Sequence, residues 1–184
     1  MKFIKTTLLL SFVACSAYAQ NSVLNPLADA SIYQGDNTKN YGLETKLLVK
    51  NKKGSTVSRR TLLQFNVADL KGVKKATLKI YCSNLELSGD TPATSLLLDI
   101  STTDNNWTEN EVTWKTSPKP LAKITSTEVS VKKAWVEIDI SNYLKEVFGK
   151  SKTITLILSS SDGSGNLAEF SSKEGKNPPA LIVE

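Results

Sequence analysis

The stretch SRRTLLQFNVADLKGVKKATLKIYCSN, residues 58–84, decides the fold class. Leu63, Phe65 and Val67 alternate along its first half, and Leu78, Ile80 and Cys82 along its second. Side chains two apart on a strand share a face, so the spacing predicts two β-strands joined by a short turn, with these six residues in one buried layer. Arg60, Leu62 and Gln64 then point the other way, as do Lys79 and Tyr81. Together they predict a solvated sheet face carrying Arg, Lys, Gln and Tyr, which suits a polar, anionic ligand.

The same pattern recurs on either side. Apolar or alternating runs occupy residues 28–34, 46–50, 60–67, 77–83, 95–102, 135–140, 153–159, 168–171 and 180–183. Between them lie turn signals such as Gly35-Asp36-Asn37, Lys52-Lys53-Gly54-Ser55, Lys71-Gly72 and Asp162-Gly163-Ser164-Gly165. Short strands at this spacing, with no strand–helix alternation, predict an all-β antiparallel sandwich or barrel in a single domain. Two short segments read as helical. Ser141-Asn142 is placed to cap residues 143–148, with Gly149 ending the turn, and Thr108 is placed to cap one turn before Val112.

Residues 1–19 read as a secretory signal peptide rather than part of the fold. Lys2 and Lys5 precede a short apolar run, and Ala17-Tyr18-Ala19 fits a small-x-small cleavage site; the run is too short for a membrane span. Cys15 offers a second, lipoprotein reading of the same leader. The domain then comprises residues 20–184, secreted, periplasmic or at the cell surface, and is taken as a monomer. Without Lys2 and Lys5, 21 basic residues face 18 acidic ones, so the net charge falls from +5 to +3. That balance does not by itself call for a polyanion, and no nucleic-acid motif accompanies it. The chain has no histidine, which excludes Ser-His-Asp and Cys-His nucleophilic machinery. Cys82 is the only cysteine after the leader, so no intrachain disulfide forms, and its strand face predicts a buried thiol.

The order of motifs resembles the DNRLRE family, grouped with carbohydrate-binding module family 96. It rests on Ala28-Asp29-Ala30, Asn40-Tyr41-Gly42 leading into residues 46–50, Arg59-Arg60 with Leu63, Phe65 and Asn66, and residues 76–81. It continues through Trp107-Thr108-Glu109 with Thr113-Trp114, the Asp139 strand, residues 170–174 and Asn177-Pro178-Pro179. The resemblance implies a β-jelly-roll sandwich that binds carbohydrate without catalysis, with acidic polysaccharides such as alginate in the ligand class. Gln64, Leu62 and Asn66 depart from the family pattern, the first two lowering the basic, aromatic character of the outward face.

The candidate carbohydrate-binding residues are therefore Lys46, Lys50, Arg59, Arg60, Gln64, Lys79 and Tyr81. Arginine suits carboxylates because its planar fork donates two parallel hydrogen bonds, and Tyr81 adds an amphipathic platform for a sugar ring. The bland reading is a solvated face with scattered ion pairs, and the matching alternative function is a structural or adhesive surface module. Trp107 and Trp114 read as packing residues over a sandwich edge, while the exposure of Trp135 is open. Asp29 and Asp139 are the acids singled out for a possible structural calcium ion, although no EF-hand-like spacing is present. A lyase-like set of Arg60, Lys79 and Tyr81 would need a shifted pKa in a cleft, which the sequence does not show.

Overall fold

The computed structural model describes residues 21–89 and 92–184. Among these, eleven strands and one α-helix follow one another: β1 Ser22–Leu24, β2 Ala28–Tyr33, β3 Lys46–Lys52, β4 Arg59–Asn66, β5 Ala76–Glu86, β6 Leu96–Thr102, β7 Lys123–Val129, β8 Ala134–Asp139, α1 Ser141–Val147, β9 Thr153–Ser160, β10 Ser164–Ser171 and β11 Ala180–Val183. All their pairings are antiparallel. The expected all-β sandwich is what forms. The leader read in residues 1–19, with Cys15, lies outside the described residues. No helix among the described residues is long and apolar enough to cross a membrane.

One hydrogen-bonded sheet curls into two layers. The first runs β2-β4-β9-β6-β7; the second runs β3-β10-β5-β8, with β11 and then β1 continuing beside the first half of β5. A single rung, Lys50 opposite Arg59, joins them. Where β3 leaves β4 its edge would be unpaired, and a buried unpaired peptide group is costly. Two buried hydroxyls seal it: Leu48 N–H donates to Ser31 Oγ at 2.7 Å, and Thr61 Oγ1 donates to the Leu48 carbonyl at 3.1 Å.

The core lies between the layers. Leu63, Phe65, Leu98, Ile100, Leu156 and Leu158 from the first meet Leu47, Val49, Leu78, Ile80, Cys82 and Phe170 from the second. Each such side chain contributes roughly 1.5–3 kcal/mol on burial. Burial pushes the Cys82 thiol up to about 11, in keeping with an inert packing role.

The reading of residues 58–84 as two strands across a short turn needs correction. β4 pairs with β2 and β9, whereas β5 pairs with β8, β10 and β11. The two strands belong to opposite layers, and their buried residues meet across the core. Arg60, Leu62 and Gln64 consequently look out from one side of the sandwich, and Lys79 and Tyr81 from the other.

The first of these faces is roofed. Residues 103–121, between β6 and β7, cross back over the first layer. There Val112 packs with Ala30, Ile32, Leu62 and Ile157, and Trp107 and Trp114 pack against that cluster. Trp107 Nε1 donates to Thr155 Oγ1 at 3.1 Å, and Gln64 Nε2 to the Asn105 carbonyl at 3.0 Å. Both tryptophans thus pack over the layer, as expected from the sequence.

Two smaller expectations change. The helix spans Ser141–Val147, but Ser141 does not cap it; the Ser141 hydroxyl accepts the Ala76 N–H at 2.9 Å inside the protein. Asp139 Oδ1 instead receives the Ser141 N–H at 2.8 Å. Residues 108–112 form a hydrogen-bonded turn rather than a helix, with Val112 N–H reaching the Thr108 carbonyl at 2.9 Å.

Candidate functional site

The motifs that made the sequence recognisable converge beneath the roof. The Asn40 amide donates to the Glu109 and Val112 carbonyls, both at 2.7 Å, and its Oδ1 receives the Gly42 N–H. A side chain at Gly42 is sterically barred, because its Cβ would lie 2.0 Å from the Glu109 carbonyl oxygen. Glu109 turns back to take the Asp29 N–H at 2.7 Å and pairs with Lys173 Nζ at 3.1 Å. Lys173 also pairs with Glu174, and the Lys173 N–H donates to Asp29 Oδ2 at 2.7 Å. These residues rivet the roof to β2 and to the loop after β10.

Asp29 is the strained member. It is 1% exposed, and its Oδ1 has no hydrogen-bond partner. Burial, followed by the nearby Glu174 and Glu109 charges, pushes its carboxyl up to about 7, against the Lys173 backbone bond that favours the charged form. The ammonium of Lys173 already stands among these acids. Asp139, the other acid singled out for calcium, belongs to the opposite layer and accepts the Ser141 N–H at the start of α1. Among the described residues, no group of three or more acids is arranged to hold a metal ion.

The residues expected to bind carbohydrate fall into three places. Lys50, Arg59 and Arg60 border the seam between the layers. With Asn51, Ser58, Ser159 and Ser160 they line a concavity of about 80 Å3. Arg59 also borders a neighbouring pocket of about 90 Å3 with Tyr33, Tyr41 and Leu48. Its guanidinium stacks 4.5 Å from the Tyr33 ring, and that of Arg60 4.7 Å from the Trp114 ring. Burial holds the Arg60 guanidinium below its usual value, and among the described residues no carboxylate pairs with Lys50, Arg59 or Arg60.

Lys46, Lys79 and Tyr81 lie instead on the open outer face of the second layer. Both lysines are neutralised: Lys46 by Glu169 at 2.8 Å, and Lys79 by Glu137 at 3.0 Å. The Glu169 hydrogen bond holds the Lys46 ammonium above its usual value. Gln64 stands apart from both groups. Beneath the roof, its amide donates to Asn105 O and Thr155 Oγ1.

The chain matches the sequence model of carbohydrate-binding module family 96 over residues 20–184. It belongs to that family. No curated protein matches it. A carbohydrate-binding module of this family therefore carries two separate polar surfaces, an unneutralised basic seam and a charge-paired open face. Sequence reasoning missed Tyr33, Tyr41 and Asn51 at the seam. Tyr33 ends β2 and Asn51 follows directly on the run read at residues 46–50, so only the pairing of β2 and β3 with β4 brings them beside Arg59. It also left Trp135 undecided; this residue is 40% exposed and sits directly across from Tyr81.

Proposed function

We propose that this module holds an acidic polysaccharide, of the uronate class, at the seam formed by Lys50, Arg59 and Arg60. One observation carries the reading: three basic residues line one concavity, and among the described residues no carboxylate pairs with any of them. Elsewhere the cations of the open face are matched by Glu169 and Glu137, so an anionic ligand gains least there. Stacking on Tyr33 and Trp114 fixes both guanidinium planes before a ligand arrives, which spares ordering entropy on binding. A fixed fork suits a sugar carboxylate, and Asn51, Ser58 and Ser159 offer amide and hydroxyl partners for sugar hydroxyls.

The role is binding rather than catalysis. The chain has no histidine, and among the described residues no carboxylate lines the seam to act as a general base. Tyr41, the tyrosine hydrogen-bonded to Asp36 in the adjoining pocket, has its hydroxyl pushed up by burial and by that acid, away from proton abstraction. A leader at residues 1–19 would deliver the module to the compartment where polysaccharides are met. Affinity electrophoresis in gels containing alginate, pectate or neutral glucan tests the reading. Retardation in an acidic gel, lost in Arg59→Ala and Lys50→Ala, is expected; free migration of the wild type in every acidic gel contradicts it.

A further inference from the structure

The open face of the second layer carries a feature that the seam does not use. The ladder between β5 and β8 sets Tyr81 opposite Trp135 and Lys79 opposite Glu137. Directly opposed residues on antiparallel strands share a face, so these four side chains form one patch. The Tyr81 and Trp135 rings meet edge to face, with centroids 5.3 Å apart and an interplanar angle of 71°. Lys79 Nζ lies 5.1 Å from the indole centroid and bonds Glu137 at 3.0 Å. The indole is thus held from two directions and still leaves 40% of Trp135 in solvent. The indoles of Trp107 and Trp114, by contrast, pack against the apolar cluster under the roof.

We propose that the Trp135–Tyr81 patch is a stacking subsite for an uncharged pyranose. A pyranose is amphipathic, with a C–H face and a rim of hydroxyls. A rigid indole receives the C–H face at little entropic cost. The Lys79–Glu137 pair beside it presents both donor and acceptor groups to adjacent hydroxyls. The charge of the patch selects the ligand. Lys79 is paired with Glu137, and Asp139, next on the same face of β8, lies within the influence of Lys75 and Lys145, so beside the rings the patch offers a carboxylate no unpaired cation and a neutral sugar loses nothing by comparison. This inference rests on the family's carbohydrate binding and is independent of the seam.

The test uses the full domain, with Trp135→Ala, Trp135→Leu and Arg59→Ala variants, in gels containing β-glucan, xylan, mannan or alginate. The wild type is expected to be retarded by at least one uncharged glycan. Trp135→Ala should then lose about tenfold in affinity for it, the scale of removing one aromatic anchor, while Arg59→Ala binds it as the wild type does. Trp135→Leu keeps the apolar bulk without the ring, so its equal loss separates stacking from unfolding. Free migration of the wild type in every uncharged gel overturns the inference, as does undiminished binding by Trp135→Leu. Parallel loss of the uncharged glycan in Trp135→Leu and Arg59→Ala also overturns it, since that result means one continuous site. Failure of alginate alone counts against the seam and leaves this patch standing.

Discussion

The two outer faces of this sandwich begin from similar sequence patterns and end differently. Arg60-Thr-Leu-Leu-Gln64 and Lys79-Ile-Tyr81 both alternate an outer position with an inner one and begin on an outward cation. On the first layer the segment between β6 and β7 folds back and turns the outer positions into a second, smaller core under Trp107, Val112 and Trp114. On the second layer nothing among the described residues covers Tyr81 and Trp135 in that way. Alternation therefore states which side chains leave the main core and not whether they reach water.

Riveting of the roof gives the largest expected effect. Gly42→Ala would force the Glu109 carbonyl away and should destabilise the domain by about 3 kcal/mol, the upper range of overpacking, read as a fall in the denaturant midpoint. The near-ultraviolet signal of Trp107 and Trp114 should change with it. An unchanged midpoint would mean that the roof is loosely held. Leu62→Lys asks the same of the covered face itself. Burying an unpaired ammonium there should cost at least 2 kcal/mol, whereas an open face would tolerate it within about 0.5 kcal/mol.

Asp29 ties the roof to pH. Its carboxyl titrates near 7 when folded and near 3.8 when unfolded, so the unfolded chain releases this proton first. Its contribution is whole below about pH 4 and is lost as pH rises through 7, at up to about 1.4 kcal/mol per pH unit, so on the order of 2 kcal/mol between pH 5 and 7. Asp29→Asn should flatten that slope in urea melts taken from pH 5 to 8. A slope equal to that of the wild type would place the titration elsewhere.

The smallest effect sharpens the contrast between seam and open face. Raising salt from 0.05 to 0.5 M should weaken uronate binding at the seam severalfold, because exposed charges are screened, and should leave uncharged glycan binding at Trp135 nearly unchanged. Equal salt dependence for both ligands would merge the two surfaces into one.

The fold class was legible because period-two alternation is local, and the six apolar residues of residues 58–84 are all buried as it predicts. Pairing was not, since it depends on contacts distant in sequence: β4 and β5 read as neighbours yet lie in opposite layers. β7 was unread because Lys123-Ile-Thr-Ser-Thr-Glu-Val129 is polar on both sides, with only its last residue fully buried. The grouping of the candidate residues was legible in part. Lys50, Arg59 and Arg60 line one concavity, although alternation turns Arg59 and Arg60 to opposite faces, toward Tyr33 and Trp114 respectively. They share it because the single rung between β3 and β4 sets Lys50 opposite Arg59 where the layers join. Lys46 and Lys79 looked equivalent to them in sequence; their carboxylate partners arrive from β10 and β8.

The central claim is that the unneutralised seam, not the charge-paired sheet, receives the acidic glycan. An amide NMR titration with a defined oligouronate tests it directly. The account predicts that the shifted resonances cluster at residues 50–51, 58–60 and 159–160 and that Arg59→Ala abolishes them. Shifts concentrated at residues 79–81 and 134–137, or none at saturating ligand, would contradict it.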